Sequence, residues 1–136
     1  MRHPLHPALV HFPVACWTLA VVADVASLRF GETAWQWTSG LLATGCIMAL
    51  VAALAGLLEI VRVPEGAAMR DAYVHMAAMF LALALFAWRL MLEPYDFQSI
   101  APGTLGLTLD TAGLLVMIIG AWFGGRLVYG HGVGAG

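Results

Sequence analysis

Residues 8–28 read ALVHFPVACWTLAVVADVASL. This stretch is almost entirely apolar and has about the 20 residues that an α-helix needs to cross a bilayer. No small-residue cleavage site ends it, and further apolar runs follow, so we expect a retained transmembrane helix rather than a signal peptide.

Three more apolar runs follow the first, at Thr38–Leu58, Ala72–Leu92 and Leu105–Tyr129. Charged and turn-forming residues separate them. Each run is long enough to satisfy its backbone polar groups as a helix, and none alternates with the period of a barrel strand. The sequence therefore predicts an all-α fold, with residues 1–136 forming a single membrane domain. We expect an antiparallel bundle of four transmembrane helices, with ends near residues 8–28, 38–58, 72–92 and 105–129 and both termini on one side.

The composition agrees with a protein embedded in a lipid bilayer. Hydrophobic residues make up 62% of the chain and charged residues only 10%, whereas a soluble domain has about 25% charged residues. Six basic residues against eight acidic ones leave no basic face, which excludes a nucleic-acid partner. The two cysteines form neither CxxC nor CxxCH, which excludes a zinc ribbon and covalently attached haem.

The arginines favour one orientation of the bundle. Two of them, Arg29 and Arg89, belong to the side opposite the termini. The four expected on the side of the termini are Arg2, Arg62, Arg70 and Arg126. By the positive-inside rule, the termini are predicted to be cytoplasmic.

Small residues recur at helical spacing in two of the runs. Stripes of this kind let helices approach closely inside a bundle or against another subunit. The second run carries Gly45, Ala49, Ala52 and Gly56, and the fourth carries Gly106, Gly113, Gly120 and Gly124.

Histidines are the main candidates for function. His6 and His11 open the first run, His75 lies one turn into the third, and His131 follows the fourth. Because the helix direction alternates, all four are expected near the side of the termini. On a regular helix His6 and His11 would point about 140° apart, so we do not expect them to share one ligand. Pro13 should loosen or kink the helix beside His11.

A second polar group is expected on the far side of the membrane. Asp24, Arg89 and Asp110 each lie about one turn from the end of a run. An unpaired charge is costly in lipid, so we expect an ion pair between Arg89 and one of the two aspartates.

The opening segment, His6-Pro7-Ala8-Leu9-Val10-His11-Phe12-Pro13, resembles the HPxxVHFP motif of a bacterial membrane family called domain of unknown function 2231. His75 and the closing segment from Gly124 to Gly132 resemble other marks of that family. The resemblance implies a four-helix domain of the bacterial inner membrane. It also implies possible association with redox modules such as cytochrome c or Rieske domains, and it brings no catalytic residues.

Three interpretations stay open at this point. The first is electron transfer through b-type haem, by a redox protein without substrate chemistry of its own. His11 and His75 are then the expected first pair of ligands, and His6 and His131 could serve a second haem or a quinone. The cations expected near the haem propionates are Arg70 and Arg126.

The second interpretation is a copper or zinc site in which Glu59 or Asp71 joins the histidines. The third is a subunit without a cofactor that anchors or completes a larger membrane redox complex, or that forms a homo-oligomer. Transport is disfavoured because the four runs show no internal inverted repeat.

Overall fold

The computed structural model describes residues 5–94 and 100–134, and for Glu32 the main chain only. The helices are α1 (Leu5–Leu9), α2 (His11–Phe30), α3 (Glu32–Trp35), α4 (Thr38–Glu59), α5 (Ala67–Met91) and α6 (Thr104–Gly125). A 3₁₀ turn, Ile60–Arg62, follows α4, and a π-helical turn, Arg126–Gly130, follows α6.

Four helical segments of the described chain are long and apolar enough to cross a membrane. They are Leu5–Phe30, Thr33–Arg62, Ala67–Met91 and Thr104–Gly130. The described residues contain no strand. The predicted all-α fold with four transmembrane helices is therefore confirmed, and each helix end lies within about five residues of the one expected.

The first transmembrane segment is interrupted at Val10. Pro13 has no N–H to donate to the carbonyl of Leu9, so the regular helical pattern cannot run through this point. The chain makes a turn at Val10, and α2 begins at His11. The loosening predicted beside His11 is confirmed by this interruption between α1 and α2.

The four long helices form two hairpins. In the first, α2 packs along α4, and in the second, α5 packs along α6; contacts of α4 with α5 and of α2 with α6 join the hairpins. The helices α2 and α5 lie diagonally across the bundle and meet through large side chains. At the centre, the rings of Trp17 and Phe86 stack with centroids 4.7 Å apart.

The two hairpins repeat one another in sequence. Positions of α1 and α2 recur in α5 and the turn after it at an offset of 69 residues: His6 with His75, Trp17 with Phe86, and Asp24 with Glu93. Positions of α4 recur in α6 at an offset of 68 residues: Gly45 with Gly113, Ala52 with Gly120, and Gly56 with Gly124.

Burial follows the same repeat. The buried positions Thr38, Leu42, Gly45, Ala49 and Ala52 of α4 correspond to the buried positions Gly106, Asp110, Gly113, Met117 and Gly120 of α6. Because α2 and α5 run in the same direction, the two hairpins are related by an approximate two-fold axis along the membrane normal. This is a parallel repeat, in which the two hairpins cross the membrane in the same direction. It therefore differs from the inverted repeat that the sequence lacks.

The glycine stripes do permit close packing. The space that these glycines leave is occupied by side chains of neighbouring helices rather than by helix backbones. A Cβ atom on Gly45 would lie 2.5 Å from Trp17 Cδ1, and one on Gly113 would lie 2.8 Å from Phe86 Cζ. Each glycine thus makes room for the aromatic ring that its own hairpin sends to the bundle axis.

Replacing Gly45 with alanine should destabilise the bundle, because the new methyl group would press on the Trp17 ring. We expect a loss of about 1–3 kcal/mol in the free energy of unfolding, typical of an overpacked core. Thermal unfolding in detergent measures it. Gly40→Ala on the same helix is the matched control, since a Cβ there has nothing within 4 Å. Equal stability of the two variants would contradict the packing described.

Candidate histidine site

Two histidines meet near the side of the termini. His6 on α1 and His75 on α5 have ring centroids 5.9 Å apart, and their planes cross at 85°. They come from diagonally opposite helices and occupy equivalent positions of the repeat. Each hairpin therefore supplies one imidazole to the same place on the bundle axis.

Main-chain hydrogen bonds define the tautomer of both rings. His6 Nδ1 lies 2.7 Å from the carbonyl oxygen of Ala52, and His75 Nδ1 lies 2.7 Å from that of Gly120. A carbonyl can only accept, so in each ring Nδ1 carries the hydrogen and donates it. In the neutral imidazole the lone pair is then left on Nε2.

A glycine lies one turn beyond each of these carbonyls. A Cβ atom on Gly56 would lie 3.0 Å from His6 Nδ1, and one on Gly124 would lie 3.0 Å from His75 Nδ1. Since a helical carbonyl points toward the residue four positions later, a side chain there would cover it. Gly56 follows Ala52 by four residues, and Gly124 follows Gly120 by four residues. Because neither glycine has a side chain, the carbonyls of Ala52 and Gly120 stay accessible to the histidines.

The histidine pair borders an apolar cavity of about 420 Å³. Its inner end lies near Pro13, Ala49 and Leu83, and its outer end lies near Val63 and Val133. The polar side chains on its wall are His6, His11, Glu59, His75 and Tyr129. Its volume is within the range of about 300–1,000 Å³ typical of small-molecule sites.

The structure pairs His75 with His6 and not with His11, which we expected opposite it. His11 is exposed, and its Nδ1 lies 3.4 Å from the carbonyl of Ala8. The separation in angle between His6 and His11 explains this, because turning one toward the bundle axis turns the other away. His11 still contributes to the cavity wall, but it does not face His75.

His131 belongs to a separate cluster. Its Nε2 lies 2.9 Å from Asp71 Oδ2, and Arg126 Nη2 forms an ion pair with the same oxygen at 3.1 Å. The Asp71 side chain is only 1% exposed. Arg70 and Arg126 were expected near the haem propionates. In the structure neither arginine lines the cavity, and Arg70 is exposed.

The far side of the membrane holds the expected ion pair. Arg89 Nη2 lies 2.6 Å from Asp24 Oδ2, so this prediction is confirmed. Arg89 Nη1 also binds Glu93 Oε1 at 2.5 Å, a partner that we had not predicted. Glu93 follows Arg89 by one helical turn, and that spacing was the available signal.

Comparison with known proteins agrees with this architecture. Residues 2–136 match the family described as "Predicted membrane protein (DUF2231)". The chain belongs to the DUF2231 family. No curated protein and no solved structure matched the chain. Membership in DUF2231 confirms the resemblance and the membrane character of the chain.

The pairing of His6 with His75 in this DUF2231 chain had a signal in the sequence that we did not use. Both histidines precede a large aromatic residue by 11 positions, namely Trp17 and Phe86. The parallel repeat thus distinguishes His6 from His11, whose equivalent in the second hairpin is Phe80.

Replacing Asp71 with asparagine should release the C-terminal segment of this DUF2231 chain, because the charge that holds Arg126 and His131 is lost. Hydrogen bonds to charged groups contribute about 1.5–3 kcal/mol, so amide exchange near His131 and Val133 should accelerate roughly tenfold or more. Hydrogen exchange with mass spectrometry measures this. Glu65→Gln, at the exposed α4–α5 turn, is the control, and unchanged exchange in Asp71→Asn would refute this anchoring role.

Proposed function

We propose that this protein binds one b-type haem between His6 and His75 and transfers electrons within the bacterial inner membrane. The observation that carries the proposal is the close pair of imidazoles, with centroids 5.9 Å apart, each of which donates Nδ1–H to a helix carbonyl. Metal-ligating histidines use this arrangement to orient the ring and raise its basicity.

The separation of the rings supports joint ligation of one metal ion. A metal–nitrogen bond is about 2 Å long, so two imidazoles that held one metal ion would bring their ring centres to within several ångströms of each other. The centroids of His6 and His75 lie 5.9 Å apart.

The number of ligands favours haem over zinc. Among the described residues, no group of three or more His, Cys, Asp or Glu side chains could hold a metal ion. Zinc in proteins has three or four protein ligands. Haem would bring its own macrocyclic ligands, so His6 and His75 would be enough to hold it.

The cavity wall fits a flat apolar group. Alanine and glycine dominate near the histidines, with Ala49, Ala52, Ala53, Gly56, Ala72, Ala121 and Gly124 all on the wall. These residues exclude water and leave space beside the rings. When bound, the haem supplies one-electron chemistry, while His6 and His75 hold its iron and the carbonyls of Ala52 and Gly120 orient them.

We further propose that the termini are cytoplasmic. Arg62, Arg70 and Arg126 flank helices on the terminal side, and Arg29 flanks one on the far side. Arg89 is buried in the ion-pair network, so it does not contribute to the loop charge that sets topology. Arg2, the fourth arginine assigned to the terminal side, lies outside the described residues.

The histidine pair lies nearer the terminal side, so an electron partner would dock there. A larger redox complex, a cytochrome c or a Rieske-type module is the class of partner that we propose. A cofactor-free anchoring subunit, alone or as a homo-oligomer, would instead purify with such subunits and carry no haem.

Copper(I) is the second candidate, favoured by two thioethers on the same wall. Met76 and Met79 line the cavity beside His75. A Cβ atom on Gly120 would lie 2.6 Å from Met79 Sδ, which places this sulfur against the residue that accepts from His75. Thioether and imidazole together suit copper(I).

The protein purified from haem-replete cells should show a Soret absorption band. His6→Ala and His75→Ala should each remove at least nine-tenths of it, because each takes away one of the two residues that would hold the haem. His11→Ala should retain the band, and it is the matched control because His11 lines the same cavity without facing His75.

Two results would contradict the haem proposal. One is wild-type protein that stays colourless when haemin is added during reconstitution. The other is a band that survives in both His6→Ala and His75→Ala. Metal analysis of the same colourless sample, with about one copper per chain, would favour the second candidate.

A further inference from the structure

The far half of the bundle encloses more acid than base. Asp24, Glu93 and Asp110 surround the single guanidinium of Arg89, and all four residues are at most 8% exposed. If every carboxyl were ionised, this buried group would carry two net negative charges. Uncompensated charge is strongly disfavoured away from water.

Two of the three carboxylates are well satisfied. Asp24 accepts from Arg89 Nη2 at 2.6 Å and from the Thr38 hydroxyl at 2.6 Å. Glu93 accepts from Arg89 Nη1, from the Ser39 hydroxyl at 3.2 Å and from the backbone N–H of Ile100 at 3.1 Å. Every donor that reaches these two carboxylates is therefore accounted for by a named partner.

Asp110 has no such donors. Its side chain is 1% exposed, and neither oxygen has a hydrogen-bond partner within the part of the chain that the structure describes. The nearest cationic atom, Arg89 Nε, lies 3.7 Å from Oδ1, which is beyond hydrogen-bond length. Asp110 and Asp24 both lie beside the same guanidinium, that of Arg89.

The repeat gives an independent indication. Asp24 and Glu93 occupy equivalent positions and share Arg89 between them. Asp110 has no acidic counterpart, because the equivalent position in the first hairpin is Leu42, which is fully buried. The fold therefore places Asp110 where an apolar, neutral side chain packs in the other half.

We propose that Asp110 is a proton-binding site on the far side of the bundle. The bound proton makes Asp110 neutral and turns one of its oxygens into a donor toward the Asp24 carboxylate. Two adjacent carboxyls commonly share a proton in this way. This site is distinct from the histidine pair, and the inference does not rest on the proposed function.

Infrared spectroscopy of the full chain in detergent at neutral pH tests the proposal. The wild type should show the C=O stretching band of a protonated carboxylic acid, and the band should shift in D₂O. Asp110→Asn should abolish it, and Asp110→Glu should move it to another frequency. Asp71→Asn is the matched control, because Asp71 is equally buried but has Arg126 and the imidazole of His131 as partners, and it should leave the band unchanged.

Thermal unfolding gives a second readout. Asparagine mimics a protonated aspartate, so Asp110→Asn should unfold at the wild-type temperature, whereas Asp24→Asn should unfold at a clearly lower temperature. The proposal is overturned if the wild type lacks the band. It is also overturned if the band is undiminished in Asp110→Asn, or if that variant loses as much stability as Asp24→Asn.

Discussion

Contact between the diagonal helices along the bundle axis is the constraint on which the other features depend. The first and second hairpins touch there at three levels: the His6–His75 pair, the Trp17–Phe86 stack and the ion pair of Arg89 with Asp24. In lipid no hydrophobic force holds the hairpins together, so close packing and polar contacts have to do so. Large side chains reach the axis only because glycines on the neighbouring helices leave space for them.

The same geometry satisfies and orients the two histidines. An imidazole N–H without a partner in an apolar cavity would cost about 2–7 kcal/mol, depending on the reference state. Each ring avoids this cost by donating to a helix carbonyl, which has a second lone pair available. The hydrogen bonds orient both rings, and in the neutral imidazole Nε2 is then the free nitrogen. The site is organised before any group binds, which reduces the entropy lost on binding.

Charge is distributed unequally over the two halves of the repeat. The hairpins share their aromatic, glycine and histidine positions, but Arg89 and Asp110 of the second correspond to Ala20 and Leu42 of the first. At the far end, Asp24 and Glu93 occupy equivalent positions of the two hairpins. Arg89 and Asp110 occur only in the second hairpin and have no charged equivalent in the first. In the other half of the bundle, His6 and His75 occupy equivalent positions, so the two hairpins are nearly alike there.

Much of the fold could be predicted from local features of the sequence. Four long apolar runs suffice to predict four membrane helices, and the cost of a lone charge in lipid suffices to pair Arg89 with an aspartate. The partner of His75 could not be predicted this way. Topology placed His6 and His11 on the same side, but the rotation of the first helix depends on the break at Val10 and on packing against α4. Helix periodicity excluded a shared ligand without saying which histidine faces the axis.

The haem content and spin state of the purified, haem-loaded protein test the central claim most directly. We predict one haem per chain, with the ferric low-spin electron paramagnetic resonance spectrum of iron that has two axial imidazoles. A high-spin spectrum, or a haem content near zero in haem-supplied protein, would contradict joint ligation by His6 and His75.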